Sequence, residues 1–235
     1  MKTPSNPSHR HKAGRGRFYA LLGLLLGMLL LAPLVPGLAV RIALLLLPIA
    51  VLYAVSRNRV NLEIACALIA PVMVGGLLAV RNYDVRIFSA TTVLAGIFLA
   101  YGAFVIVSEV ARARVVTFET ISGGVCGYLL IGATFGLFYA AVLMLDPSAF
   151  HFSFPLPPSD DLLVRSHPLL MTYFSFVTLT SIGFGDITPL AGFVRSLTVM
   201  EAMTGAFYIA IFIARLVSLQ TVQAVERAGE LASGK

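Results

Sequence analysis

Apolar residues in this chain come in long runs, not at the spacing of one buried helix face or one strand face. The runs cover about residues 18–35, 38–55, 62–80, 87–108, 117–145 and 190–219, separated by short polar breaks. A helix that is apolar all round belongs in a large core or in a membrane, and about 20 such residues cross a bilayer. Six spans are therefore expected. A further apolar piece, about 168–180, is too short to cross. It follows a stretch carrying Pro147, Pro155, Pro157 and Pro158 and precedes a Gly-rich turn, so it reads as a re-entrant segment between spans five and six.

Composition strengthens this reading. Apolar residues make up 58% of the 235 and charged residues only 12%, against about 45–50% and about 25% in soluble domains. Mean hydropathy is +0.91, too apolar for a surface facing water, so the lipid bilayer is the first expected partner. The first run, Phe18 to Val35, exceeds a signal peptide's apolar core of about 7–15 residues. It also reaches Pro33 and Pro36 without a small-residue cleavage pattern, and is expected to stay as a helix.

Charge orients the spans. With the N-terminus inside, twelve basic residues are cytoplasmic: Lys2, Arg10, Lys12, Arg15, Arg17, Arg57, Arg59, Arg112, Arg114, Arg215, Arg227 and Lys235. Five are outside: Arg41, Arg81, Arg86, Arg165 and Arg195. The imbalance follows the positive-inside rule. It places both termini in the cytoplasm and the loop between spans five and six outside; the plasma membrane is the expected location. Despite a pI near 9.6, nucleic acid is not an expected partner, because much of the positive charge flanks spans. Cys66 and Cys126 sit inside apolar runs and read as small hydrophobes. No spacing of His, Cys or carboxylates forms a catalytic or metal set, and His151 stands alone on the outer loop. No cofactor and no enzymatic activity are expected.

The chemistry concentrates in Tyr173 to Pro189, where Gly183 and Gly185 are separated by one residue. Irregular backbone at membrane depth must pack in protein or line a water-filled cavity. Glycine at alternate positions permits backbone angles that let successive carbonyls point the same way. Rings of such carbonyls can replace an ion's hydration shell.

Thr178, Ser181, Ile182, Gly183, Phe184, Gly185 and Asp186 resemble the pore signature of the potassium channel family, Thr-x-x-Thr-x-Gly-Tyr/Phe-Gly-Asp. The resemblance covers roughly residues 117–219. It implies an all-α membrane protein with six transmembrane helices, a re-entrant pore helix and filter between helices five and six, and assembly with three identical subunits into a homotetramer. Potassium ions would be coordinated by carbonyls of Ser181, Ile182, Gly183 and Phe184, with the Ser181 hydroxyl completing the innermost site and the Thr180 carbonyl facing the cavity below. Asp186 would stand behind the outer mouth, and Tyr173 and Phe174 would form an aromatic cuff. Ser181 departs from the usual Thr and Phe184 from Tyr, removing a hydrogen bond to the cuff. Phe at this place resembles the second pore loop of two-pore-domain potassium channels.

The flanking helices carry further expectations. Ser166 or His167 can cap the short helix, with Pro168 in its first turn. Thr188 and Pro189 read as the cap and first position of the last helix, whose Leu190–Leu219 stretch would span about 45 Å. Gly205 occupies the place of the family's hinge glycine, with close packing as the alternative. Glu201, one turn before it, is a carboxylate inside a span, and such residues face a partner or a cavity. Bracing the filter through Ser175, Thr178 or Thr180 is the favoured reading, and facing the cavity the other. Gly123, Gly124, Gly127, Gly132 and Gly136 would pack the fifth span against the sixth.

The fourth span, Ile87 to Ser108, has no basic residue, so it lacks the several arginines of a voltage sensor. The chain thus divides into a basic tail (1–17), a four-helix bundle without sensing arginines (18–114), a pore domain (115–219) and a short cytoplasmic tail (220–235). No ligand-binding domain is expected after Arg215. The expected function is passive potassium conduction. A weakly selective cation channel, a transporter and a non-conducting accessory subunit are the competing readings.

Overall fold

The computed structural model describes residues 17–31, 36–56, 58–82, 84–113, 115–155 and 168–232. Among them are seven α-helices: α1 (Arg17–Leu31), α2 (Pro36–Val55), α3 (Arg59–Asn82), α4 (Val85–Arg112), α5 (Phe118–Leu145), α6 (Pro168–Leu179) and α7 (Gly192–Ala232). The protein is a mostly helical membrane protein. Among the described residues, α3, α4, α5 and the Gly192–Leu219 part of α7 are long and apolar enough to cross a bilayer. The described apolar stretches Arg17–Leu30 of α1 and Leu46–Val55 of α2 are shorter.

Capping places several helix ends. Asp84 accepts from the amides of Arg86 and Ile87 at the start of α4, and Thr117 accepts from Thr120 at the start of α5. Both residues are extended, as N-caps are. Five residues separate α4 from α5, and these two helices pack along their lengths. Arg17 anchors α1 by bonding the Ala54 carbonyl on α2 and by an ion pair to Glu109 on α4 at 3.1 Å. The core of this bundle is aliphatic and aromatic, with Leu21, Val51, Phe98, Ile106 and Leu130 buried together. A cavity of about 760 Å³ opens between the bundle and α6, lined among others by Leu47, Phe98, Leu137 and Phe176.

The outer connection is more ordered than its prolines suggest. A short 3₁₀ turn (Pro147–Ala149) leads into β1 (Phe150–Phe152), which pairs antiparallel with β2 (Ile187–Pro189) in the register Phe150–Pro189, His151–Thr188, Phe152–Ile187. This corrects the expected start of the last helix. Thr188 and Pro189 belong to the strand, the Leu190 and Ala191 amides both turn to the Ala149 carbonyl, and α7 begins at Gly192. It then runs 41 residues to Ala232, well past Leu219. Ser166 and His167 lie outside the described residues.

The glycines of α5 serve four neighbouring helices, α1, α4, α6 and α7. A Cβ at Gly123 would meet Val110 and Phe18; at Gly124 it would meet Phe212 of α7, and at Gly136 the Thr172 backbone of α6. The expectation of packing against the last span alone is thus too narrow.

Candidate functional site

The site is built on the C-terminal end of α6. Its last carbonyls are consumed by the loop that follows. The Ser181 amide donates to Thr178 O at 2.9 Å, and the Ile182 and Gly183 amides donate to Val177 O at 3.0 and 3.3 Å. A trans peptide holds its C=O opposite its N–H. The carbonyls of Thr180, Ser181 and Ile182 therefore all face away from α6.

The backbone alternates in hand. Ser181, Gly183 and Gly185 have φ of 59°, 60° and 79°, and the residues between them do not share this sign. Glycine adopts that region freely, but a serine held there is disfavoured by about 1–2 kcal/mol. Residues held in sparsely populated conformations cluster at functional sites. All five residues from Ser181 to Gly185 are exposed on the single chain, Phe184 to 67%.

Behind the loop lie two sets of supports. Tyr173 Oη donates to Asp186 Oδ2 at 2.7 Å, the Ile187 amide donates to Oδ1, and the Asp186 carbonyl accepts from Ser153 beside β1. Asp186 thus joins α6 to the hairpin. Phe174 is buried between Tyr139 and Phe150, with ring centroids at 5.0 and 5.7 Å in edge-to-face geometry. Such pairs add about 0.5–1.5 kcal/mol each beyond burial. Of the two expected cuff residues, Tyr173 makes the hydrogen bond and Phe174 fills the aromatic core.

Glu201 is fully buried on α7. Its Oε2 accepts from Tyr139 Oη at 2.7 Å, and its Oε1 meets the Ser175 hydroxyl. Ser175 also reaches the Gly132 carbonyl at 2.7 Å. The structure therefore brings Glu201 to α6 at Ser175, not at Thr178 or Thr180. Thr178 is buried and supports the loop through its carbonyl, while the Thr180 hydroxyl turns back to Phe176 O. The sequence reading missed Tyr139 altogether. It missed Tyr128 too, whose hydroxyl donates to the Leu179 carbonyl at 3.1 Å.

Gly205 meets the same carbonyl from the other side. A Cβ built there would lie 2.0 Å from Leu179 O, and α7 continues unbroken through this position. Close approach of α7 to the end of α6 accounts for the glycine. His151 is exposed on β1, and among the described residues no group of His, Cys, Asp and Glu could hold a metal ion.

Residues 139–221, from Tyr139 through the loop and most of α7, match the family model described as Ion channel. Over that stretch the chain is similar to ion channels, which speaks for passive ion conduction across a membrane and not for an enzyme. No curated protein and no solved structure matches the chain.

Proposed function

We propose that the chain is one subunit of a tetrameric, potassium-selective channel whose filter is Ser181-Ile182-Gly183-Phe184-Gly185. The observation that carries this reading is the set of successive carbonyls, Thr180 to Ile182, turned away from α6, with alternating backbone hand continuing to Gly185. One loop supplies one oxygen per level. Four loops around an axis supply a ring at each level, which is what an ion stripped of water requires. Exposure of the whole loop on a single chain fits a site completed by other copies.

In this reading carbonyls of Ser181, Ile182, Gly183 and Phe184 coordinate potassium, with the Ser181 hydroxyl at the inner end. Tyr173, Phe174, Thr178, Asp186 and Glu201 hold the loop. Residues 115–219 form the pore domain, with residues 18–114 as a surrounding four-helix bundle between the cytoplasmic tails 1–17 and 220–235. Six helices cross the plasma membrane in each subunit, with both termini inside. Gly205 serves as a close contact between α7 and α6 in this reading.

Reversal potentials of the purified protein in planar bilayers test the proposal. Under opposed potassium and sodium gradients the reversal potential should follow potassium. Equal permeation of both ions would make the protein a weakly selective cation channel, and absence of current would favour a non-conducting subunit.

A further inference from the structure

We infer that Glu201 works as a neutral carboxylic acid, donating a hydrogen bond to Ser175 and so acting as the positioning residue that ties α5, α6 and α7 together behind the loop. The argument is a count of protons. Three oxygen–oxygen contacts meet at this point: Tyr139 Oη with Glu201 Oε2, Ser175 Oγ with Glu201 Oε1, and Ser175 Oγ with the Gly132 carbonyl. Each needs one proton. Tyr139 and Ser175 supply one each, the Gly132 carbonyl supplies none, and a carboxylate supplies none.

An ionised Glu201 therefore leaves one close contact between two acceptors. A protonated one completes the set. Its own proton lies on Oε1 and goes to Ser175 Oγ, the Ser175 proton goes to Gly132 O, and the Tyr139 proton goes to Oε2. Every hydrogen then points the same way along one relay, from Tyr139 of α5 to Glu201 of α7, on to Ser175 of α6 and back to the Gly132 carbonyl of α5.

The surroundings agree with a neutral group. Among the described residues the only ion pair is Arg17–Glu109, and no cation stands beside Glu201. Of the arginines in the membrane-spanning part of α7, Arg195 donates to the Pro189 carbonyl and Arg215 to the Ala113 carbonyl. From α5 the titratable groups facing Glu201 are the phenols Tyr139 and Tyr128; α6 faces it with Ser175, and the hairpin's Asp186 is turned to Tyr173. A fully buried carboxylate without a cation is strongly disfavoured, and such a group neutralises. Loss of the proton would pull the Ser175 hydroxyl to Glu201 and release the Gly132 carbonyl, loosening α6 from α5 at the level that holds the loop. That consequence for ion positioning rests on the proposed conduction, whereas the proton count does not.

Infrared spectroscopy of the full-length protein in lipid bilayers, with isotope-labelled glutamate, tests the assignment. At neutral pH the wild type should show a protonated-carboxyl carbonyl band that the label shifts and that E201Q lacks. In Y139F the same band should move to higher wavenumber, because its carbonyl oxygen loses a hydrogen-bond donor. This second variant keeps the test decisive if E201Q does not assemble. Raising the pH should abolish the band and lower the thermal midpoint of the wild type, and the midpoint of E201Q should not follow. A wild type with no Glu201-dependent acid band at neutral pH, or a band unmoved in Y139F, would overturn the assignment. Neither outcome depends on whether the protein conducts potassium.

Discussion

Replacing Gly205 with Ala puts the packing of α7 against α6 to a sharp test. In the middle of a helix this change would ordinarily stabilise by about 0.8–1 kcal/mol, through lower backbone entropy in the unfolded chain. Here the new Cβ lies 2.0 Å from Leu179 O and 3.0 Å from its carbonyl carbon. Reaching even the tightest tolerated contact requires roughly 1 Å of separation between the helices, and overpacking of this kind costs about 1–3 kcal/mol. Neither side can yield cheaply. Tyr128 holds the Leu179 carbonyl, and one turn along α7 the Glu201–Ser175 contact holds the same two helices together. The packing term should win by up to about 2 kcal/mol once the backbone gain is subtracted, so G205A should lower the apparent melting temperature of the detergent-solubilised protein by up to roughly 8 °C. Gly192→Ala is the matched control, since nothing lies within 4 Å of its added Cβ, and its effect should stay within about 0.5 kcal/mol. A midpoint raised in G205A, as in an ordinary helix interior, would show that α7 does not abut the Leu179 carbonyl as described.

Two further outcomes follow from the geometry. Tyr173→Phe removes the donor to Asp186, a bond to a charged group worth about 1.5–3 kcal/mol when buried and less here because Tyr173 is 37% exposed. Under the proposed conduction, ion current should then decline faster during sustained recording, and decay kinetics identical to the wild type would remove Asp186 from the support of the loop. Opening should depend only shallowly on voltage. The bases of α4, Arg86 and Arg112, lie in its first and last turns, and each elementary charge crossing the field is worth about 2.3 kcal/mol per 100 mV. A steep activation curve accompanied by gating current would refute this.

The membrane character and the location of the site were legible along the chain, because both are local properties. An all-apolar run needs no partner to declare itself, and the described parts of the six runs are all helical, with ends moved by a few residues except in α7. Gly183 and Gly185 announced unusual backbone because a single residue type tolerates it, and the positive φ of Ser181 completes a pattern whose first member carries no such signal. Glu201 stood out as a charge in an apolar run. Its partners did not. Tyr139 lies 62 positions away in an apolar stretch of α5 where nothing in the residue order singles it out.

Only the tertiary structure decided the rest. Thr188 and Pro189 have the chemistry of a helix start, yet the antiparallel partner Phe150–Phe152 claims their backbone and delays α7 to Gly192. Gly205 is explained by the Leu179 carbonyl that presses against it, 26 residues earlier in the chain. The division has one physical cause. Hydropathy and backbone permissiveness belong to single residues and their neighbours, whereas a buried hydroxyl, a carboxyl proton or a close helix approach is defined by a pair, and the fold alone determines which pairs meet.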